Sequence, residues 1–209
     1  MAVIRTERGL DRLVNFSDAT VAIAITLLIL PLVDAAHEIA HESFSVFFSD
    51  NFWQLLAFAI SFAVIARFWV VHHRVFEWVR NYDGRLVWLN FVWLATIAFM
   101  PFTTNVLSNS NGERPEIYAL YIGNLLAISL SMQLIGMVLT RNPDLVREDA
   151  RAEMDSTRGW SASIIITVCL VLAVLVPQVG MFWLFLMFLS EPLHRLLARL
   201  ARRPSQTLR

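Results

Sequence analysis

Lysine is absent from this 209-residue sequence, in which all 17 basic residues are arginine. The arginines are spread along the chain and are not clustered as a nucleic-acid-binding surface requires, so we expect no nucleic-acid partner. Cysteine occurs once, at Cys169, which excludes an intramolecular disulfide. The sequence also has no GxSxG or CxxC motif and no glycine-rich phosphate loop. We therefore predict no catalytic residues, no metal site and no cofactor.

Long apolar runs dominate the rest of the sequence. Hydrophobic residues make up 57% of the chain and charged residues 16%, which is more apolar surface than a soluble domain of this length can bury. A helix needs about 20 apolar residues to cross a bilayer, and the sequence predicts six such helices. They lie near residues 13–33, 51–73, 85–107, 116–140, 159–177 and 179–200. We predict an all-α polytopic membrane protein in which residues 1–209 form a single domain.

The distribution of arginine predicts the orientation in the membrane. Arginine is concentrated in every second connecting segment, namely residues 5–12, 74–85, 141–158 and 195–203. Segment 34–50 instead contains four acidic residues and no arginine. Because positively charged segments stay on the cytoplasmic side, we predict that both termini are cytoplasmic.

The first apolar run carries a polar pair, Ser17 and Asp18, near its start. A carboxylate at membrane depth needs hydrogen-bond partners, so we expect this pair to face neighbouring helices. At 100° per residue, a different side of the helix carries a stripe of Arg12, Phe16, Ala19, Ile23, Thr26, Leu27, Leu30 and Asp34. Ordinary helix packing or lipid contact would explain such a stripe. Its charged ends also fit a gated ion path with an apolar constriction.

The same residues resemble a known family. RLVNFSD at 12–18 and the following ATVAIAITLLILP at 19–31 resemble the signature of the transmembrane protein 175 potassium channels. Three further segments resemble the second and third helices of that family, namely FWVVHHRVF at 68–76, RNYDGRLVWLNFVWL at 80–94 and AFMPFTT at 98–104. The resemblance is strong over roughly the first half of the chain and rests on the number of spans in the remainder.

This resemblance implies a potassium-permeable cation channel, with K⁺ as the permeant ion and the first helix lining a central pore. Animal members carry two six-helix repeats and form dimers, so a single set of six implies a homotetramer. The resemblance assigns the constriction to Ile23, Leu27 and Leu30, with a threonine layer at Thr26. It also implies a structural brace around the FSD motif, with the members Arg12, Phe16, Ser17, Asp18, His73 and Asn90.

An apolar constriction discriminates between ions through their hydration. No TVGYG-like stretch is present, so we expect no filter of backbone carbonyls. An ion that crosses an apolar ring sheds part of its hydration shell, which costs more for Na⁺ than for K⁺. Thr26 would offer a hydroxyl oxygen to the partly dehydrated ion, and Asp34 would concentrate cations at the outer mouth within about a Debye length. Arg12, at the inner mouth, is expected to be structural rather than selective.

Two other functions explain parts of the pattern. An ion-coupled secondary transporter could use Asp18 and the membrane-edge histidines His72 and His73. Transporters often contain helices broken by glycine or proline, whereas this chain has only seven of each and its first helix is expected to be unbroken from Val14 to Leu30. An intramembrane enzyme would need His72, His73 and Glu77 at membrane depth, whereas we expect them at the cytoplasmic edge. We rank the channel first.

The absence of lysine and of a second repeat indicates a prokaryotic source with a GC-rich genome. We therefore expect the protein in the plasma membrane, with the lipid bilayer and further copies of itself as its partners.

Overall fold

Helices account for the regular structure of the residues that the computed structural model describes, namely 7–36, 43–109, 114–151, 156–176, 178–179 and 183, apart from one isolated β-bridge. In chain order they are α1 (Glu7–Leu27), α2 (Leu30–Ala36), α3 (Phe44–Asp50), α4 (Phe52–Glu77), α5 (Gly84–Ser108), α6 (Pro115–Arg141) and α7 (Ser156–Leu175). A single 3-10 turn at Pro143–Leu145 follows α6.

Four segments are long and apolar enough to cross a membrane, namely Arg8–Ala35 (α1 with α2), Phe52–Glu77, Gly84–Ser108 and Pro115–Arg141. They coincide with the first four predicted spans. The fifth predicted span, 159–177, corresponds to α7, whose apolar part is shorter. The sixth, 179–200, lies outside the described residues except at positions 179 and 183. The all-helical class is confirmed, and the count of six spans stays a prediction.

The first span is not one unbroken helix, contrary to the sequence-based expectation. A turn at Leu28 and Ile29 separates α1 from α2. Pro31 explains the break, because it has no N–H to donate to the Leu27 carbonyl and its ring crowds that carbonyl. The chain tightens at this point, where the Ile29 N–H donates to the Thr26 carbonyl at 3.3 Å.

Helices α5 and α6 form the centre of the packed structure. α5 contacts α1, α4 and α6, and α6 also contacts α7. Their buried apolar side chains include Trp93, Leu94, Ile97, Met100, Tyr121, Ile122, Leu125, Ile128, Ile135 and Leu139. α5 is therefore the helix against which α1 and α4 are positioned.

Polar groups inside this core pair with one another. Ser61 Oγ lies 2.9 Å from the Tyr121 hydroxyl and 2.9 Å from Thr104 Oγ1, which joins α4, α5 and α6. Ser129 and Ser163 join α6 to α7 at 2.8 Å. Such pairs, together with bonds to backbone carbonyls of the same helix, satisfy hydroxyls that have no water to bond to.

The connection between α4 and α5 is joined to the connection between α6 and α7. Val79 and Val146 form the isolated antiparallel bridge, and the Arg80 N–H donates to the Leu145 carbonyl at 2.8 Å. We call residues 78–81 and 144–147 the loop clamp. Both connections are rich in arginine and are predicted on the same side of the membrane, and their contact is consistent with that prediction.

α5 begins with a charged cap. The carboxylate of Asp83 accepts the Leu86 N–H at 2.9 Å, and Arg85 pairs with its other oxygen at 2.9 Å. Partial burial raises the pKa of Asp83, but the hydrogen bonds from Leu86 and Arg85 outweigh that effect, so the pKa lies below its ordinary value.

We expect Asp83→Ala to lower the free energy of unfolding by about 1 kcal/mol, because Leu86 loses its acceptor. Since folding lowers the pKa of Asp83, the cap stabilises the fold above the ordinary aspartate pKa, and its contribution is lost as the pH falls through the folded-state pKa. Reversible denaturation in mixed micelles, followed by tryptophan fluorescence, measures the change. Asp149→Ala, which removes an exposed carboxylate, is the control. Equal losses in the two variants would contradict a role for the cap.

Candidate functional site

The segment formed by α1 and α2 has two distinct sides. Its packed side carries buried Ser17, Val21, Ala24 and Leu28, at the spacing of one helical face. Every residue of the predicted stripe is exposed, namely Arg12, Phe16, Ala19, Ile23, Thr26, Leu27, Leu30 and Asp34. Packing among the described residues therefore does not explain the stripe.

Ser17 is joined to α4 and α5 by buried hydrogen bonds. Nδ2 of Asn90 donates to Ser17 Oγ at 2.8 Å, and Oδ1 of Asn90 lies 2.8 Å from Nε2 of His72. All three residues are 0% exposed. We call Ser17, Asn90 and His72 the Asn90 network. It connects α1, α5 and α4 through one amide side chain.

The bond directions in the Asn90 network follow from one another. The Ser17 hydroxyl donates to the Leu13 carbonyl at 2.9 Å, so its oxygen accepts from the Asn90 amide. The Asn90 carbonyl is then left to accept from His72, which places a proton on Nε2 of this histidine. Complete burial disfavours the second proton that would make the ring charged. The His72 ring also stacks on Trp93, with centroids 4.1 Å apart. The network thus positions α1 with neutral groups alone.

Asp18 has a partner of its own. Nε1 of Trp69 on α4 donates to the Asp18 carboxylate at 2.8 Å. Sequence reasoning missed Trp69, because tryptophan near the end of a span is typical of the membrane interface. Helical spacing could have identified Trp69, because it precedes His72 by three residues and so lies on a similar side of α4. Asp18 and Ser17 therefore both meet neighbouring helices, as we expected.

The structure brings His72 to Asn90, and not His73, which the family resemblance had placed in the brace. Neighbouring residues on a helix point about 100° apart, so the two histidines do not both face α5. His73 is exposed, and its Nε2 lies 3.3 Å from the carboxylate of Glu77. Its ring stacks on Trp69 with centroids 5.3 Å apart, so it touches the brace only at the edge.

Arg12 and Phe16 are not brought into the Asn90 network. Both lie on the exposed stripe. Arg12 forms no hydrogen bond or ion pair with a described residue, and Phe16 makes an edge contact with Phe91 of α5 at 5.8 Å. The sequence motif therefore divides into Ser17 and Asp18, which bond to neighbouring helices, and Arg12 and Phe16, which are exposed.

Between its charged ends, the stripe is apolar except for the hydroxyl of Thr26. Ile23, Leu27 and Leu30 are 61%, 41% and 51% exposed, far more than is usual for such side chains inside a packed protein. The Thr26 hydroxyl donates to the Ile23 carbonyl at 2.8 Å, which leaves its lone pairs free to coordinate a cation. Asp34 is exposed near the end of α2.

Metal sites are absent from the part of the chain that the structure describes, where no three His, Cys, Asp or Glu residues come together. The sequence does contain one HExxH pattern, HEIAH at 37–41. Our prediction of no metal site did not consider it. It lies outside the described residues. The pattern alone does not make a site, because zinc enzymes need it on a helix with a third ligand nearby.

The similarity to known proteins includes the motifs of the first three predicted spans. The profile of the family described as "Endosomal/lysosomal potassium channel TMEM175" matches residues 12–101. A potassium channel of Streptomyces collinus is 33% identical over 155 residues, which cover 71% of this chain and 72% of that protein. A potassium channel of Chamaesiphon minutus is 35% identical over 122 residues, and this match spans 57% of the chain and only 60% of the relative.

The fold also has a solved counterpart. The crystal structure of a lysosomal potassium-selective channel TMEM175 homolog from Chamaesiphon minutus superposes with a TM-score of 0.71, over 92% of this chain and 99% of that one. Sequence identity in this superposition is 23%, so it establishes the helical arrangement only. From the extent of the match to the Streptomyces relative, together with the family profile, we conclude that this chain belongs to the TMEM175 family.

Proposed function

We propose that this protein is a potassium-permeable cation channel in which K⁺ passes a constriction of apolar side chains on α1 and α2. The observation that carries the proposal is the two-sided first span, whose packed side is fixed by hydrogen bonds while Ile23, Leu27 and Leu30 stay exposed. A lipid-facing surface would explain the leucines. It would leave the remaining lone pairs of the Thr26 hydroxyl facing hydrocarbon, without a partner. The relatives named as potassium channels support the same reading.

One copy of α1 cannot enclose a path, so the proposal requires several copies. We propose a homotetramer with four first helices around a central axis. Each chain contributes one domain, 1–209, with six membrane-spanning helices and both termini in the cytoplasm. We place the assembly in the plasma membrane, and it needs no cofactor and catalyses no reaction.

Selectivity in this proposal arises from dehydration. Rings of Ile23, Leu27 and Leu30 offer no oxygen, so an ion passes only after losing water, which favours K⁺ over the more strongly hydrated Na⁺. Thr26 lies within the stripe, with lone pairs available to the passing ion. Asp34 raises the cation concentration at the outer mouth. Arg12 at the inner end is assigned a structural role.

The Asn90 network and the Asp18–Trp69 bond form the proposed brace of the pore helix. An apolar constriction conducts or closes with small changes in radius, so its helix has to be held in rotation and height. Ser17 lies six residues before Ile23, which is less than two turns along α1. A hydrogen bond from α5 at Ser17 therefore fixes the orientation of the constriction.

An ion-coupled transporter remains the alternative. The unbroken first helix no longer counts against it, because the chain turns at Leu28 and Ile29. The channel is favoured because the exposed side chains at the centre of the stripe are apolar, whereas Asp18, the carboxylate a transporter would use, already accepts a hydrogen bond from Trp69.

The first prediction concerns selectivity in planar bilayers under a K⁺ gradient, with Na⁺ replacing K⁺ on one side. We expect a reversal potential directed towards that of K⁺, which collapses towards zero in Ile23→Asn because a polar ring lets hydrated ions pass. Leu27→Ala should also reduce selectivity. Ile164→Asn makes the same chemical change at an exposed site on α7 and serves as the control. Saturable flux that follows a proton gradient, without single-channel current, would favour the transporter.

A second prediction concerns assembly. Native mass spectrometry of the detergent-solubilised protein should give four times the 23.9 kDa of one chain. A species of one or two chains that still conducts after reconstitution would contradict the proposed central pore.

A third prediction separates the adjacent histidines. His72→Ala should destabilise the fold by at least about 2 kcal/mol, because it leaves the side-chain carbonyl of Asn90 unpaired and opens a cavity beside Trp93. His73→Ala removes an exposed ring and should change stability little. Denaturation in mixed micelles compares the two variants, and K⁺ selectivity of surviving His72→Ala channels should also fall. If His73→Ala proves the more damaging, the assignment of the brace to His72 is wrong.

A further inference from the structure

Arg67 lies near the middle of the long α4 span, ten residues before its end at Glu77. At 100° per residue it is on the side of the helix opposite to Ile65 and Phe76, which are buried against the rest of the chain. The side chain of Arg67 is exposed. It is thus an arginine on the outer face of a membrane span, at a depth where an unpaired charge is costly.

Arg74 lies on the same face, seven residues further along α4. The two positions are almost two helical turns apart, about 10 Å along the axis. Both side chains are exposed, and neither forms a hydrogen bond or ion pair within the described part of the chain. Val70 and Val71, between them in sequence, are 46% and 37% exposed. The face therefore combines two unpaired guanidinium groups with an apolar surface.

The described carboxylates do not offer these arginines a partner. Glu77 pairs with His73 on α4 itself. Asp18 is the described carboxylate nearest the middle of a span, and it accepts from Trp69 of its own chain. Trp69 lies two residues from Arg67, about 200° away around the helix, so Asp18 is on the other side of α4. No carboxylate of the described residues pairs with either arginine, which leaves both guanidinium groups free to bind an anion from outside.

We propose that the α4 face carrying Arg67 and Arg74 binds an anionic phospholipid of the cytoplasmic leaflet. Arg74 is near the predicted cytoplasmic end of α4, at headgroup level, and Arg67 reaches towards the same phosphate from deeper in the bilayer. Guanidinium groups match phosphate through paired N–H donors, and two positive charges favour a lipid of net negative charge over a zwitterionic one. Val70 and Val71 pack against the acyl chains. This site does not depend on K⁺ conduction.

Native mass spectrometry of the full-length protein, titrated with phosphatidylglycerol and separately with phosphatidylcholine, tests the proposal. The wild type should bind phosphatidylglycerol in preference to phosphatidylcholine. Arg67→Gln and Arg74→Gln should each weaken binding of phosphatidylglycerol about fivefold, since one arginine near an anionic surface contributes about that factor. Arg141→Gln, an exposed arginine at the predicted cytoplasmic end of α6, is the matched control and should bind as the wild type does.

Two results would overturn the proposal. One is equal binding of phosphatidylglycerol by Arg67→Gln, Arg74→Gln and Arg141→Gln, which would leave the α4 arginines without a role in lipid binding. The other is dissociation of the oligomer in Arg67→Gln without any change in lipid binding, which would assign Arg67 to a carboxylate of a second copy. Arg67→Lys keeps the charge and should retain most of the binding. This variant shows whether weaker binding in Arg67→Gln results from the lost charge or from misfolding.

Discussion

The hydrogen bond from Asn90 to Ser17 is the contact on which the arrangement of the first span depends. α1 has a narrow packed side of small and medium residues, and apolar contacts between such surfaces are weakly directional in a bilayer. A donor and an acceptor inside hydrocarbon have no water to exchange with, so their pairing fixes the rotation of one helix against another. Once Ser17 faces α5, the 3.6-residue repeat turns Ile23 about 120° and Leu27 about 80° away from it, onto the open side of the helix.

The Asn90 network works because its members are neutral. A protonated histidine at position 72 would bring a net charge into a space that is 0% exposed, whereas the Nε2–H tautomer satisfies Asn90 without one. The charged part of the motif, Asp18, is kept at the edge of the network and meets an indole N–H. Two consecutive residues of the FSD motif thus make different contacts. Ser17 makes a neutral, fully buried one, and Asp18 makes a charged, partly exposed one.

Much of this architecture could be predicted from sequence because it rests on composition and periodicity. The first four spans and the exposed stripe follow from runs of apolar residues and from the 100° step. Which histidine bonds to Asn90 could not be predicted. His72 and His73 differ only in the direction in which their side chains leave α4, and packing sets the rotation of α4 relative to α5. Trp69 was missed for a related reason. In sequence, a tryptophan at the membrane interface cannot be distinguished from one that bonds to a neighbouring helix. Pro31 was visible, yet whether a proline bends or interrupts a helix depends on its surroundings.

The loop clamp has a consequence for the order in which the molecule is made. Asn81 and Asp144, which bond across the clamp at 3.1 Å, are 63 residues apart. When the α4–α5 hairpin leaves the ribosome, its partner loop has not yet been synthesised, and α6 has still to cross the membrane. Until then the hairpin is held by the Asn90 network and by the Ser61–Thr104 hydrogen bond, and the clamp closes only after α6 has returned to the same side. Variants that weaken the clamp should therefore act late in biogenesis, on a protein whose early helices are already inserted.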